Sequence, residues 1–310
     1  MPLKIDRILC PVDLSVEREA ALRYALALAG GFNARLYVCY CASPLPASIR
    51  ADAHEELNEI VKRALDVFVG VPDAPTVAWE SVVIEAANAA QGITDEAARR
   101  AVQLIVMCSR RQPMRHALLG STAEAVCRTA PCPVLVTHPQ EREWVSATTG
   151  AIDLRNVLVA HDFSDFSELA LKYALAFAQE FQAYLHLLHA LPAPAREPEL
   201  AWTAGSTNDI YHKTARALQE ATPAETHLWC KVKTTVRYGK PFREILSYAT
   251  ENEIDLIAMG THGSGFGAGT LFGSNVDRVL RQADCPVLIA RPLKPAWDGD
   301  GWDGDQHGGK

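Results

Sequence analysis

At about 150 residues per domain, a chain of 310 residues is sized for two domains. Its 48% hydrophobic and 22% charged residues, with 19 Gly and 18 Pro, exclude a disordered or fibrous chain. The 30 Lys and Arg against 37 Asp and Glu leave a formal charge of -7, and without a basic domain or stripe a nucleic-acid binder is set aside.

The order of elements is read from short apolar runs and helical spacing. Arg7–Pro11 is an apolar run of strand length, continuous enough to be buried on both faces. Ser15 then stands as N-cap of a helix whose apolar positions Leu22, Ala25, Leu26 and Ala29 follow i, i+3, i+4, i+7 spacing. A second strand is expected at Arg35–Cys41, a helix near Asn88–Ala98 and a fourth strand at Leu104–Met107. The last helix of this half opens at Gly120-Ser121, and Cys132-Pro-Val-Leu135 begins a fifth strand. After the polar stretch 138–150 the same order returns. Arg155–Ala160 is a strand, Ser164 caps a helix with Leu171, Ala174, Leu175 and Ala178 on one face, and Tyr184–Ala190 is a strand. Lys233–Tyr238 leads through Gly239-Lys240-Pro241 into a helix at Phe242–Asn252, and Asp255–Met259, Gly273-Ser274 and Cys285–Leu288 complete the set. From about Pro292 the chain reads as a disordered acidic, Gly-rich tail.

The two passes are copies. "ALRYALALA" at 21–29 lies over "ALKYALAFA" at 170–178, an offset of 170 − 21 = 149 shared by Asp13 and Asp162, Phe32 and Phe181, and Leu36 and Leu185. Met107 over Met259 and "CPVL" at 132–135 over "CPVL" at 285–288 bring the offset to 152 and 153. Strands alternating with helices call for a mostly parallel sheet with helices on both faces.

In such a sheet ligands bind outside the carboxyl ends of the strands, where strand order reverses. In the second half those ends carry His161-Asp162, His189-Ala190 and the loop 259–276, whose glycines turn without Cβ penalty and present N–H groups to an anion. Gly273-Ser274 opens a helix, where free N–H groups and the dipole favour phosphate. A phosphate cradle and a ligand-free glycine loop both fit these residues. Gly263-x-Gly265-x-x-Ala268 matches a dinucleotide fingerprint but follows the fourth strand without opening a helix, and no G-x-x-x-x-G-K-[ST] occurs.

Both halves resemble the universal stress protein family, and the whole chain resembles its tandem members. The pattern G-x2-G-x9-G-[ST] is met by Gly260-x2-Gly263-x9-Gly273-Ser274, with Asp162 in "HDFS" after the first strand. The resemblance implies an adenine nucleotide alpha hydrolase-like fold, five strands per half in the order 3-2-1-4-5. Domains would span 1–140 and 152–293, with a linker at 141–151 and the tail at 294–310. It further implies ATP, with Mg²⁺ from solution, or AMP or ADP, bound in the second half. Asp162 and the backbone near Ala190 would hold adenine and ribose, beside Ala160, His161, Met259 and Val276. Gly260, His262, Gly263, Gly273, Ser274 and Asn275 would line the phosphates. The fifth strands would pair the halves, and a homodimer through fifth-strand edges would follow. A cytoplasmic, nucleotide-dependent stress-response sensor or regulator is expected, read by a protein partner that the sequence does not name.

The first half departs from that pattern. Cys108 replaces Gly260, Arg111 replaces Gly263, and the loop is one residue shorter, so nucleotide binding in the family manner is not expected there. Arg110, Arg111 and Arg115 suit either an anion or a solvated basic loop. Cys10, Cys41 and Cys108 fall near neighbouring strand ends, where a thiol cluster competes with ordinary burial. His186 and His189 should sit on opposite faces of their strand, and His161 should point away from Asp162. Asp298, Asp300, Asp303 and Asp305 lack the spacing and terminal glutamate of a calcium loop.

Eight cysteines with no C-x-x-C pair point to reduced thiols. The N-terminus lacks an apolar signal segment, and no run of about 18 apolar residues is present, so no membrane partner is expected. No general base stands beside a nucleophile and no ligand set suggests a metal, which favours a binding module over an enzyme. Slow ATP hydrolysis and a nucleotide-free assembly scaffold are the alternatives. An adenylating enzyme of a related fold would carry glycines after the first strand, where "PVDLS" and "HDFS" have none.

Overall fold

The computed structural model describes residues 3–14, 19–43, 46–66, 76–109, 120–138, 141–193, 204–261 and 273–291. The first half runs β1 (Arg7–Val12), α1 (Glu19–Gly31), β2 (Arg35–Ala42), α2 (Ala47–Asp66), β3 (Trp79–Glu85), α3 (Ala89–Arg99), β4 (Leu104–Cys108), α4 (Ser121–Thr129) and β5 (Val134–Thr137). The second runs β6 (Asn156–Ala160), α5 (Asp165–Phe181), β7 (Tyr184–Leu191), α6 (Ala204–Glu220), β8 (Val232–Tyr238), α7 (Pro241–Glu251), β9 (Leu256–Gly260), α8 (Ser274–Gln282) and β10 (Val287–Ala290), with a 3₁₀ turn at Ala224–Leu228 before β8. The expected elements are present with ends shifted by one or two residues, as in β1, which reaches Val12, and α7, which starts at Pro241.

All ten strands share one sheet, in the order β3-β2-β1-β4-β5-β10-β9-β6-β7-β8. Each half therefore reads 3-2-1-4-5. Neighbours within a half are parallel, whereas β5 and β10 meet antiparallel with Val136 opposite Val287 and Val134 opposite Ile289. Their side chains are fully buried, and the run of apolar residues on both faces is what a strand covered by helices on either side requires. The fifth-strand edges are thus consumed within the chain. A homodimer through those edges has no free strand to use, because each fifth strand already has a neighbour on both sides.

Two apolar layers flank the sheet, and both cross from one half to the other. On the α1 and α5 side, the Phe32 ring meets Phe177 and Phe181 edge-on at 5.3 and 5.4 Å. Gly31 lies so close to this cluster that a Cβ there would come within 2.6 Å of the Phe181 ring. The opposite layer gathers Ile93, Ala97 and Val126 with Ile245, Val279 and Leu280, from α3, α4, α7 and α8.

The stretch expected as a linker, 141–151, is packed against both halves, with the Arg142 N–H donating to the Asp284 carbonyl of the second at 2.7 Å. Glu143 pairs with Arg23 at 2.6 Å, and Trp144, 2% exposed, places its ring edge-on to Tyr24 at 4.6 Å. The Trp144 N–H donates to the Tyr24 hydroxyl at 3.0 Å, and Val145 bridges Ile152 in antiparallel fashion. No helix among the described residues is long and apolar enough to cross a membrane. The positions of the Ser15 cap and the tail 294–310 lie outside the described residues.

Candidate nucleotide site

In the second half β6 lies between β7 and β9, so strand order reverses at the crevice above the carboxyl ends of β6 and β9. A cavity of about 420 Å³ opens there. Ala160 and Met259, register partners on β6 and β9, form part of its floor. His161, Asp162, Ala190, Gly260, Gly273, Ser274, Asn275 and Val276 line it as well. The structure therefore brings together ten of the twelve residues expected at a nucleotide site. The other two, His262 and Gly263, fall outside the described residues.

The turn after β6 is held by its own side chains. Asp162 Oδ1 accepts from the Ser164 N–H at 3.2 Å and from its hydroxyl at 2.6 Å. Ser164 in turn caps α5, accepting from Ser167 N–H at 3.3 Å, and the Ser167 hydroxyl accepts from Asp162 N–H at 3.3 Å. A Ser at this position satisfies a first-turn amide, and here the same hydroxyl also sets the orientation of the aspartate. Phe163, between the two, has φ 64 and places its ring beside His161 and His189, with centroids 5.0 and 4.9 Å away. A non-glycine residue in the left-handed region costs energy, and the two ring contacts hold it in place.

His161 is buried at this turn. Its Nδ1 accepts from Phe163 N–H at 3.3 Å and its Nε2 faces Glu168 Oε1 at 3.1 Å, an assignment that places the proton on Nε2. Burial holds the His161 imidazole below its ordinary range, although Glu168 pulls the other way. The backbone carbonyl of His161 accepts from His189 Nδ1 at 2.8 Å. His186 lies on the other face of β7, bonded to the Tyr248 hydroxyl at 2.9 Å. The two histidines are therefore separated, as period-two alternation demands.

Two features make the crevice suited to phosphate. Gly273, the N-cap of α8, has no side chain with which to cap it, so the first-turn amides of α8 face the cavity without an internal acceptor from that residue. Gly273 N–H closes the loop onto the Thr261 carbonyl at 3.1 Å. Gly260 has a different role from the one glycine patterns suggest: a Cβ there would lie 2.5 Å from Phe166 Cβ and 2.7 Å from its carbonyl carbon. It is small so that α5 can approach β9, and the cavity depends on that approach.

The first half keeps a reduced version of the crevice. A cavity of about 320 Å³ is lined by Asp13, Tyr40, Cys41, Met107, Cys108, Gly120 and Ser121. Cys41 occupies the place of Ala190, and Cys108 that of Gly260. Ordinary burial accounts for the three thiols Cys10, Cys41 and Cys108, which do not all meet at one point. Cys10 and Cys108 pack in the α1 layer, while Cys41 lies under α3, where a Cβ on Gly92 would come 3.1 Å from its sulfur. Burial raises the Cys10 and Cys41 thiols above their ordinary range, so neither is primed as a thiolate. Among the described residues no three His, Cys, Asp or Glu converge on a metal position. Arg110, Arg111 and Arg115 lie outside the described residues.

Sequence reasoning did not find Ser167, Leu188, Pro192, Pro241 or Ile245, all of which line the second-half cavity. Pro241 and Ile245 are four apart on the inward face of α7, a spacing that was available. Pro192 and Ser167 carry no such signal.

The comparisons with known proteins agree with this architecture. The model of the universal stress protein family matches residues 4–138 and again 153–291. A universal stress protein of Mycolicibacterium smegmatis is 28% identical over 302 residues, covering 92% of this chain and 97% of that protein. A protein of unknown function from Pseudomonas aeruginosa superposes with TM-score 0.68 at 20% identity, covering 93% of each chain. A universal stress protein from Archaeoglobus fulgidus superposes with TM-score 0.59 at 21% identity, covering 94% of this chain and 97% of that one. At those identities the two superpositions speak for the fold alone.

Proposed function

Because this chain belongs to the universal stress protein family, with two of its domains in tandem, we propose that its second half binds an adenine nucleotide, ATP foremost. The observation that carries this reading is the 420 Å³ crevice at the strand-order reversal, with the uncapped start of α8 at its rim. Asp162 and the backbone at Ala190 hold the nucleoside, and the amides of Ser274 and Asn275 receive the phosphates, while Gly260 lets α5 approach β9 and so shapes the floor. AMP or ADP would use the nucleoside contacts and fewer of the phosphate ones. Mg²⁺ carried with a triphosphate neutralises part of its charge. Nucleotide occupancy then governs which cytoplasmic partner the protein engages in a stress response.

The chain is a binder rather than a dedicated catalyst. His161 has both ring nitrogens committed, one to Glu168 and one to a backbone N–H, which leaves it no lone pair for a substrate proton. Slow hydrolysis would show as turnover linear in protein and abolished by Asp162→Ala. The first half does not hold ATP in the same way, since Cys108 and Cys41 narrow its crevice.

The test is to denature the purified protein and identify the released small molecules by mass spectrometry, beside titration of the emptied protein with ATP. One adenine nucleotide per chain, lost in Asp162→Ala and in Gly263→Arg, supports the proposal. Two per chain would refute the reading of the first half. None released and none bound would leave an assembly scaffold.

A further inference from the structure

The turn that carries Asp162 has a titratable ring built into its backbone hydrogen bonding. His161 follows β6, is 2% exposed, and accepts at Nδ1 from the Phe163 N–H, two residues on, at 3.3 Å. Its Nε2–H donates to Glu168 Oε1 of α5 at 3.1 Å. That carboxylate fixes the first proton on Nε2, since a ring lone pair facing it would be repelled. A second proton can go only to Nδ1, where the Phe163 N–H already points.

The imidazolium therefore sets N–H against N–H, and the Phe163 amide has to turn away. Phe163 sits in the left-handed region at φ 64, a conformation that a non-glycine residue keeps only where its surroundings hold it. It joins Asp162 to Ser164, whose N–H and hydroxyl donate to Asp162 Oδ1 at 3.2 and 2.6 Å. Released from Nδ1, Phe163 relaxes toward ordinary backbone angles and carries Ser164 away from the carboxylate. The first half lacks this arrangement. At the offset of 149, Val12 stands in the place of His161, before Asp13, and its side chain neither accepts nor titrates.

We propose that His161 is a positioning residue that makes nucleotide binding in the second half depend on pH: neutral, it holds the Asp162 turn in its binding shape, and protonated, it releases the turn and the nucleotide with it. The inference rests on the reading of the second crevice as a nucleotide site. Among the described residues, the groups facing His161 act in both directions. Burial is the largest influence and opposes the proton, as does His189 on β7, whereas Glu168 on α5 and Asp162 beside it favour the proton. The balance holds the imidazole below its ordinary range, so the turn is intact at neutral pH and release falls on the acid side. Because the bound state excludes the proton, nucleotide affinity falls as pH drops through the His161 pKa.

The experiment titrates the emptied full chain with ATP by calorimetry, in steps from about pH 7.5 to about pH 5, in the wild type, His161→Asn and Glu168→Gln. Asn offers its side-chain oxygen to the N–H two residues on, as in an Asx-turn, and takes no proton in this range. Kd values are compared across pH within each protein, so the titration of ATP itself, common to all three, cancels. Over that range the wild-type Kd should rise about fivefold more than that of His161→Asn, the fold-change of one lost hydrogen bond. Glu168→Gln keeps an acceptor for Nε2–H and removes a charge that favours protonation, so its midpoint should move to lower pH. A ligand-free NMR titration of the wild type, with Phe and His labelled with nitrogen-15, should show the Phe163 amide shifting with the same midpoint as the His161 ring nitrogens. Equal pH dependence in the wild type and His161→Asn, an unmoved midpoint in Glu168→Gln, or a Phe163 amide that ignores the His161 titration each overturns the proposal. Absence of ATP binding at neutral pH would overturn the nucleotide reading itself, and the two failures are told apart because the NMR titration still shows whether the turn opens.

Discussion

His186 shows how a residue far from any ligand can set the pH range of the whole protein. It is 8% exposed, and its Nδ1 accepts from the Tyr248 hydroxyl at 2.9 Å while Nε2 faces Asn156 Oδ1 at 3.4 Å. Burial, with the Lys233 ammonium on the neighbouring strand, holds its pKa down to about 4. The folded pKa is below the unfolded value of about 6.5, so the folded state is favoured in full above pH 6.5. That advantage is lost as pH falls towards 4, because the unfolded chain takes the proton first. The full loss is at most about 3 kcal/mol. Urea unfolding at pH 7 and pH 4.5 should therefore show a stability gap that shrinks in His186→Gln, which keeps an acceptor for Tyr248 and cannot be protonated. An equal gap in both proteins would remove His186 from the account.

Among the elements, α4 and α8 tie the two crevices to a common seam. Arg281 on α8 bonds Asp277 at 2.6 Å within its own helix and Glu124 of α4 at 3.3 Å, and Glu124 also takes Arg128 at 2.6 Å. Arg291, at the end of β10, donates to the Cys127 and Arg128 carbonyls at 3.0 and 2.5 Å. A cation at those carbonyls closes the C-terminus of a helix whose first turn borders the first-half crevice. Arg291→Ala should cost roughly 2 kcal/mol, the loss of two charge-assisted bonds, measured by urea denaturation at neutral pH. Most elements could be read from the chain, because both copies carry the same apolar spacing and one copy corrects the other. The site was legible where it falls at strand ends and glycines, as at Asp162, Ala190 and Gly273. It was not legible at Ser167 or Pro192, which reach the cavity only through tertiary packing. Nor was the burial of Trp144 and Val145, since they sit in a stretch whose composition is polar and whose partners, Tyr24 and Ile152, are distant or follow a turn.

For the molecule as a whole, the antiparallel meeting of β5 and β10 decides the arrangement. Each half's strands point the opposite way from the other's, so the two crevices open at opposite ends of the sheet and no single small ligand spans both. Produced as separate chains, residues 1–140 and 152–293 would each expose a four-residue apolar edge. Such an edge seeks a partner. Each separate half should dimerise with itself, and the mixed halves should pair with one another, as read by light scattering after size exclusion. Stable monomeric halves would show that the shared layers, not the strand edges, hold the molecule together. Joining the halves in one chain also makes their contact intramolecular, at an effective concentration in the millimolar range for short connections. The pair therefore survives dilution that would dissociate two free copies. A symmetric pair of identical chains carries every substitution in both sites at once, whereas here a change such as Cys for Gly at 108 alters one crevice and leaves the other intact.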